Sequence, residues 1–163
     1  MTEQAFWALI EAADMIDADG EASVEGLDVL LRRLPDVELL DFQRVLQGLL
    51  ARAYRWDVWG AAYLLNGGCS DDGFDYFRAW LIANGREAFE RVLSDPDALV
   101  ELAEDEAECP DLLAVAPWIF QERTGDYPKL PATPLPDLGT GWDFDDPEEM
   151  KRRYPRLSAA FGG

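Results

Sequence analysis

Histidine is absent from all 163 residues of this chain. Without an imidazole it cannot supply a Ser-His-Asp or Cys-His pair, a histidine metal ligand or the usual acid/base group for neutral pH. Cysteine is scarce: Cys69 and Cys109 stand far apart, with no CxxC spacing and no disulfide framework, which suits a reducing setting. No GxGxxG fingerprint, Walker A loop or HExxH pattern occurs. No apolar run approaches the roughly 20 residues that cross a bilayer. The opening Met-Thr-Glu-Gln-Ala-Phe-Trp lacks the basic region and cleavage site of a secretion signal. The expectation is a cytoplasmic protein with no cofactor and no metal. The balance leans away from an enzyme, since catalysis would have to use carboxylates, Arg, Lys, Tyr or a lone Cys.

Basic residues are also few, 14 against 33 acids, for a formal charge of −19. Such a surface repels polyanions, which argues against direct binding to nucleic acid or to an anionic membrane. It permits basic protein partners or cationic ligands, and it also suits simple solubility. Aromatic residues are plentiful, with six Trp, eight Phe and five Tyr. A chain of this length and apolar content buries a genuine core and is not disordered.

Alternating β-branched runs are missing, whereas helix start and stop signals recur. Thr2 caps a first helix carrying Phe6, Trp7 and Ile10, and Ser23 caps a second that Pro35 ends. Asp36 opens a long segment ending near "WDVWGAAYLLNGG", which continues or restarts it and stops at Gly67-Gly68. Ser70 starts the next helix and Asn84-Gly85 ends it. "REAFERVL" is short, Asp95-Pro96 introduces "DALVELAEDEAE", and Pro110 begins a helix interrupted or kinked at Pro117. The fold class expected is all-α: a compact bundle of about six to eight helices. Residues 1–124 form the body. Residues 125–163 form an extended Pro/Gly-rich arm and one short helix within the same domain. Trp142, Phe144, Tyr154 and Phe161 suggest that the arm packs back on the body.

Several stretches carry candidate chemistry. "DMIDADGEASVE" resembles a calcium loop, but aligning Gly20 with the invariant glycine puts Met15 and Gly26 where carboxylates are required. An acidic loop is the better reading. The run containing Glu101, Glu104, Asp105, Glu106 and Glu108 reads as a solvated helix face or as a docking patch for a basic partner. "PKLPATPLP" suits a polyproline turn, either a stiff spacer or a ligand for an aromatic groove. Trp56, Trp59 and Tyr63 share one helical face, as core or as the wall of a pocket for a flat or cationic ligand.

In "CSDDGFDYFRAWLI", residues 69–82, the helical projection separates the charges. Ser70 is a preferred N-cap, and Asp71 and Asp72 lie where the helix dipole favours acids. Arg78 falls inside the apolar arc of Phe74, Leu81 and Ile82, so it must snorkel or be paired. Asp75, three residues earlier, is a workable partner, as is a carboxylate on another helix. The alternative is a polar site at the helix mouth, with Arg78 holding an anion or Asp71 and Asp72 acting on a cation or proton.

The chain resembles a family of uncharacterised bacterial proteins, domain of unknown function 4240. The resemblance rests on "AFWALIEAA", on "WDVWGAAYLLNGGCSDDGFDYFRAWLIANGREAFERVLSDPDAL" and on "GWDFDDPEEMKRRYPRLSAAF". It implies a self-contained bacterial domain and supplies no catalytic residues. Three readings follow from the residues. The leading one is a non-enzymatic, acidic binding or accessory domain acting through protein–protein interaction in the cytoplasm. The second is a small-molecule-binding protein or histidine-free enzyme with its site near Asp71, Asp72 and Arg78, walled by Trp56, Trp59 and Tyr63. The third is an acidic inhibitor or immunity-type protein that blocks a basic partner.

Overall fold

The Thr2 hydroxyl accepts a hydrogen bond from the Ala5 N–H at 3.1 Å, which caps α1 (Glu3–Ala13). The computed structural model describes residues 1–103 and 106–162. Its further α-helices are α2 (Glu25–Leu31), α3 (Asp36–Arg52), α4 (Trp56–Asn66), α5 (Asp71–Ala83), α6 (Arg86–Ser94), α7 (Pro110–Thr124), α8 (Pro147–Arg153) and α9 (Pro155–Phe161). A 3-10 helix, Pro96–Glu101, lies between α6 and α7. No strand occurs among the described residues, and the one isolated bridge, Ile16 with Ala22, closes the α1–α2 loop. None of these helices is long and apolar enough to cross a membrane.

The all-α expectation holds, with more and shorter helices than six to eight. The segment after α3 restarts as α4 because the chain turns at Ala53–Arg55. Asp57 then accepts from the Val58 N–H and pairs with Arg55. α4 stops at Gly67, whose φ of 66° is the left-handed conformation that glycine adopts without strain. The tail forms two helices where one was expected. Asp146 caps α8 through the Glu148 and Glu149 N–H groups, and α9 is capped from elsewhere in the fold. The run after Asp95-Pro96 is a short 3-10 helix, so the solvated α-helical face expected over 101–108 does not form around Glu106 and Glu108; Glu104 and Asp105 lie outside the described residues. Asn66 clamps Ala107 through the backbone N–H and C=O, and the Cys109 N–H donates to Tyr76 O, which holds this stretch away from helical geometry.

α5 is the hub. Phe74 and every residue from Phe77 to Ala83 are buried, as befits a helix enclosed by α3, α6 and α7. An aromatic ladder runs inward from α4: Trp56 stacks on Trp59 at 5.5 Å, and Trp59 on Phe74 at 4.6 Å. It continues through Phe77 to Trp80.

The arm returns over α4, and its helices seat there by close approach. A Cβ built on Gly60 would lie 2.5 Å from the Tyr154 hydroxyl, on a ring that is 2% exposed and donates to Asp57 O. Gly60→Ala gains roughly 1 kcal/mol of helix propensity but forces overpacking that typically costs about 1–3 kcal/mol. Since the buried ring has no room to retreat, the loss prevails. The expected result is a lower urea midpoint, worth about 1–2 kcal/mol; an unchanged or raised midpoint would show that Tyr154 is not seated against α4.

Candidate functional site

Three polar or charged residues are buried among the described residues: Gln43 at 8%, Arg78 at 3% and Asp97 at 7% exposed. Each is aimed at a helix backbone that lacks a partner of its own.

Arg78 answers the end of α3. The last carbonyls of a helix have no intrahelical donor, and the Tyr54 N–H, which could reach Leu50 O, turns to Ala51 O instead. Arg78 Nη1 fills that place, donating to Leu50 O at 2.6 Å. Its Nε donates to Phe74 O at 3.3 Å, and Nη2 pairs with Asp75. The guanidinium lies over the rings of Phe74, at 4.7 Å, and Tyr54, at 5.0 Å. Burial pulls its pKa down and Asp75 opposes that shift; a guanidinium keeps its proton in proteins. A cation at a helix C-terminus also meets the favourable end of the dipole. Arg78 therefore joins α5 to α3, and its contacts are all with the fold.

Gln43 answers a proline. Pro117 sits inside α7 without an N–H, so the Leu113 carbonyl one turn earlier loses its donor. Gln43 Nε2 donates to that carbonyl at 3.3 Å. Asp97 answers α9, whose N-cap, Tyr154, makes no side-chain cap. Its Oδ2 accepts from the Arg156 N–H at 3.1 Å and its Oδ1 from the Leu157 N–H at 2.9 Å. Sequence reasoning missed both Gln43 and Asp97. An internal proline marks an orphaned carbonyl four residues earlier, so Gln43's task was visible though its identity was not. Nothing in "DPDAL" pointed across the fold.

The other candidates are dispersed. Ser70 caps α5 through the Gly73 N–H at 3.1 Å, with Asp71 and Asp72 exposed in the first turn. Neither acid is brought to Arg78's guanidinium, whose acidic partner is Asp75. Glu101 is held by Arg91 and Arg156, and both lower its pKa. Glu106 lines a cavity of about 570 Å³ with Asp19, Glu101 and Trp80. Glu108 is exposed and adds to the field that, after burial, pushes the Cys69 thiol up to about 11. Burial likewise pushes Cys109 up to about 11. Both thiols stay protonated at neutral pH and are poor nucleophiles. No group of three or more His, Cys, Asp or Glu side chains is gathered for a metal among the described residues; the loop from Asp14 to Glu25 instead uses Asp17 to accept its own backbone N–H groups.

Trp56, Trp59 and Tyr63 do share a face of α4, and the arm lies on it. Trp56 Nε1 donates to Gly139 O at 3.1 Å, while Phe144 sits edge-on to Trp56 at 5.9 Å and tilted against Tyr63 at 5.4 Å. The Tyr63 hydroxyl donates to Asp145, whose carboxylate raises its pKa. Trp59 Nε1 donates to Cys69 O at 2.9 Å.

No curated protein and no solved structure matches the chain significantly. The family model described as "protein of unknown function (DUF4240)" matches residues 1–122, which takes in the body from α1 through most of α7 and leaves the arm outside. A match over so much of the chain shows the family: this protein belongs to DUF4240.

Proposed function

We propose that this is a non-enzymatic binding or accessory domain that works in the bacterial cytoplasm by offering an acidic surface to a basic protein partner. The observation that supports it is how the charges divide. Among the described residues every arginine except Arg33 is engaged in an intramolecular ion pair. The surplus carboxylates, such as Asp19, Glu21, Asp71, Asp72 and Glu108, stay exposed and have no ion pair. Among the described residues, Arg33, Lys129 and Lys151 are the cations outside these ion pairs, and the surplus anions face outward. A field of that sign speeds encounter with basic surfaces and repels polyanions. The buried polar residues support the same reading, because Gln43, Arg78 and Asp97 serve helix ends and a proline gap.

The test is affinity capture with the full chain from its native host at low salt, followed by mass spectrometry and a salt wash. The expected result is a protein with an excess of Lys and Arg on its binding surface, released as salt rises. Recovery of a neutral or acidic partner that resists salt would contradict the proposal. An inhibitor that blocks a basic partner is a special case of this reading, distinguished by whether the captured protein loses its activity.

A further inference from the structure

Residues 127–136 set their own shape. Pro128, Pro131, Pro134 and Pro136 fix φ at their own positions, and each drives the residue before it to extended backbone. Only Lys129 and Ala132 escape both restrictions. The observed chain agrees: residues 127–139 run without helix, strand, turn or bend. No backbone group from 127 to 138 bonds to another backbone group among the described residues. A polyproline II ribbon has that character, with no internal hydrogen bonds and a repeat of three residues. Burial follows the repeat. From 129 to 136 the half-buried residues are Leu130 and Thr133, three apart, and Thr133 donates to Gln47 Oε1 at 3.5 Å.

The ribbon's other edges face solvent. Pro131, Ala132, Pro134 and Leu135 are exposed, Leu135 by 54%. Pro131-Ala132 and Pro134-Leu135 thus make two outward apolar pairs one turn apart, about 9 Å. Lys129 stands exposed beside the first pair and has no ion pair, in a chain with 33 acids against 14 bases. A stiff spacer needs the prolines, but not an exposed leucine and an unpaired lysine beside them. Two apolar pairs at this spacing fit a groove built from aromatic rings, where each pair enters a slot between rings. The prolines hold the shape in advance, so little chain entropy is lost on docking. A second copy of this chain offers no such groove on α4, because its own arm covers the Trp56 and Tyr63 rings.

We propose that the outward ridge of Pro131, Pro134 and Leu135, with Lys129 at its start, is the docking ligand for a protein partner that presents an aromatic-ring groove with a carboxylate at one end. The rings take the apolar pairs and the carboxylate takes the free ammonium. Nothing in the fold has to move. The ridge shares no residue with the carboxylates of the acidic-surface reading, so either proposal can fail while the other stands.

The test puts the photo-crosslinking residue benzoylphenylalanine in place of Tyr127, exposed by 58% at the head of the ridge, in the full chain within its native host. Light should join the chain to a host protein. That protein, purified, should bind the synthetic peptide YPKLPATPLPD, residues 127–137, with a change in its own tryptophan or tyrosine fluorescence. Pro131→Ala with Pro134→Ala in the full chain should cut the adduct at least about tenfold, and Leu135→Ala, which keeps every proline, at least about fivefold. Thr133→Ala, on the inward edge, should leave it within about twofold. Urea midpoints of the variants separate lost docking from lost folding. The proposal is overturned by the absence of any adduct, by an adduct that survives both the double variant and Leu135→Ala, or by one formed only with a second copy. A captured protein that does not bind the peptide overturns it as well.

Discussion

Arg78→Ala is expected to lower the free energy of unfolding by about 3 kcal/mol, a large share of the 5–15 kcal/mol typical of a domain. Three losses combine. The Leu50 carbonyl at the end of α3 is left without a donor, at about 1–3 kcal/mol. Two cation–π contacts, with Phe74 and Tyr54, disappear, and each is worth about 0.5–2 kcal/mol. The apolar stem of a side chain that is 3% exposed leaves a void beside the aromatic ladder. Asp75 offsets little of this, because it is half exposed and returns to water without penalty. Arg78→Met refills the stem but not the hydrogen bond, so it should fall between the wild type and alanine. Arg78→Lys should rescue poorly, since an ammonium cannot reach Leu50 O, Phe74 O and Asp75 with one rigid fork. Urea denaturation of the three variants checks the order; a loss below about 1 kcal/mol for alanine would mean that Arg78 is not a strut.

Asp97→Ala is expected to cost about 2–3 kcal/mol and to act locally first. A seven-residue helix does not persist alone, and α9 depends on Asp97 for two of its N-terminal N–H groups. Removing the carboxylate leaves both donors unmatched, at a protein interface where the Leu157 N–H has no water to turn to. Asp97→Asn keeps one acceptor oxygen and should lose about half as much. Hydrogen exchange followed by mass spectrometry separates the local effect from the global one. Amides of α8 and α9 should lose protection in the alanine variant while those of α5 keep theirs. Uniform loss across the chain, or none, would contradict the cap.

How far these features could be read in advance depended on their range in sequence. Helix boundaries set by near neighbours were legible: Thr2 to Ala5, Ser70 to Gly73 and the glycine stop at Gly67 all act within a few residues. Arg78 was legible as an anomaly, because its place in the apolar arc of α5 follows from helical geometry alone, and Asp75 followed as its neighbour. Its chief partner was not, since Leu50 O becomes an orphan only when α3 ends where it does. Asp97 lay further out of reach. In sequence it is the second acid of Asp-Pro-Asp, an ordinary helix start, and its partner lies some 60 residues on. The acidic run over 101–108 misled for a similar reason: helical propensity favours continuation, but the clamp of Asn66 on Ala107 and the Cys109–Tyr76 bond override it. The aromatic stripe on α4 and the Pro/Gly arm were each visible, and only the fold shows that one rests on the other.

The inward and outward polar groups thus have separate tasks. Gln43, Arg78 and Asp97 complete helices, whereas Asp19, Glu21 and Glu108 are exposed with no ion pair, contribute little to stability, and on the proposed reading meet the partner. The most direct test is a single full-chain variant, Asp19→Asn with Glu21→Gln and Glu108→Gln, measured for both stability and capture of the host partner at low salt. The account predicts a urea midpoint shifted by no more than about 0.5 kcal/mol equivalent, together with partner recovery reduced at least about tenfold. Undiminished capture by the folded variant would contradict the claim that these carboxylates form the binding surface.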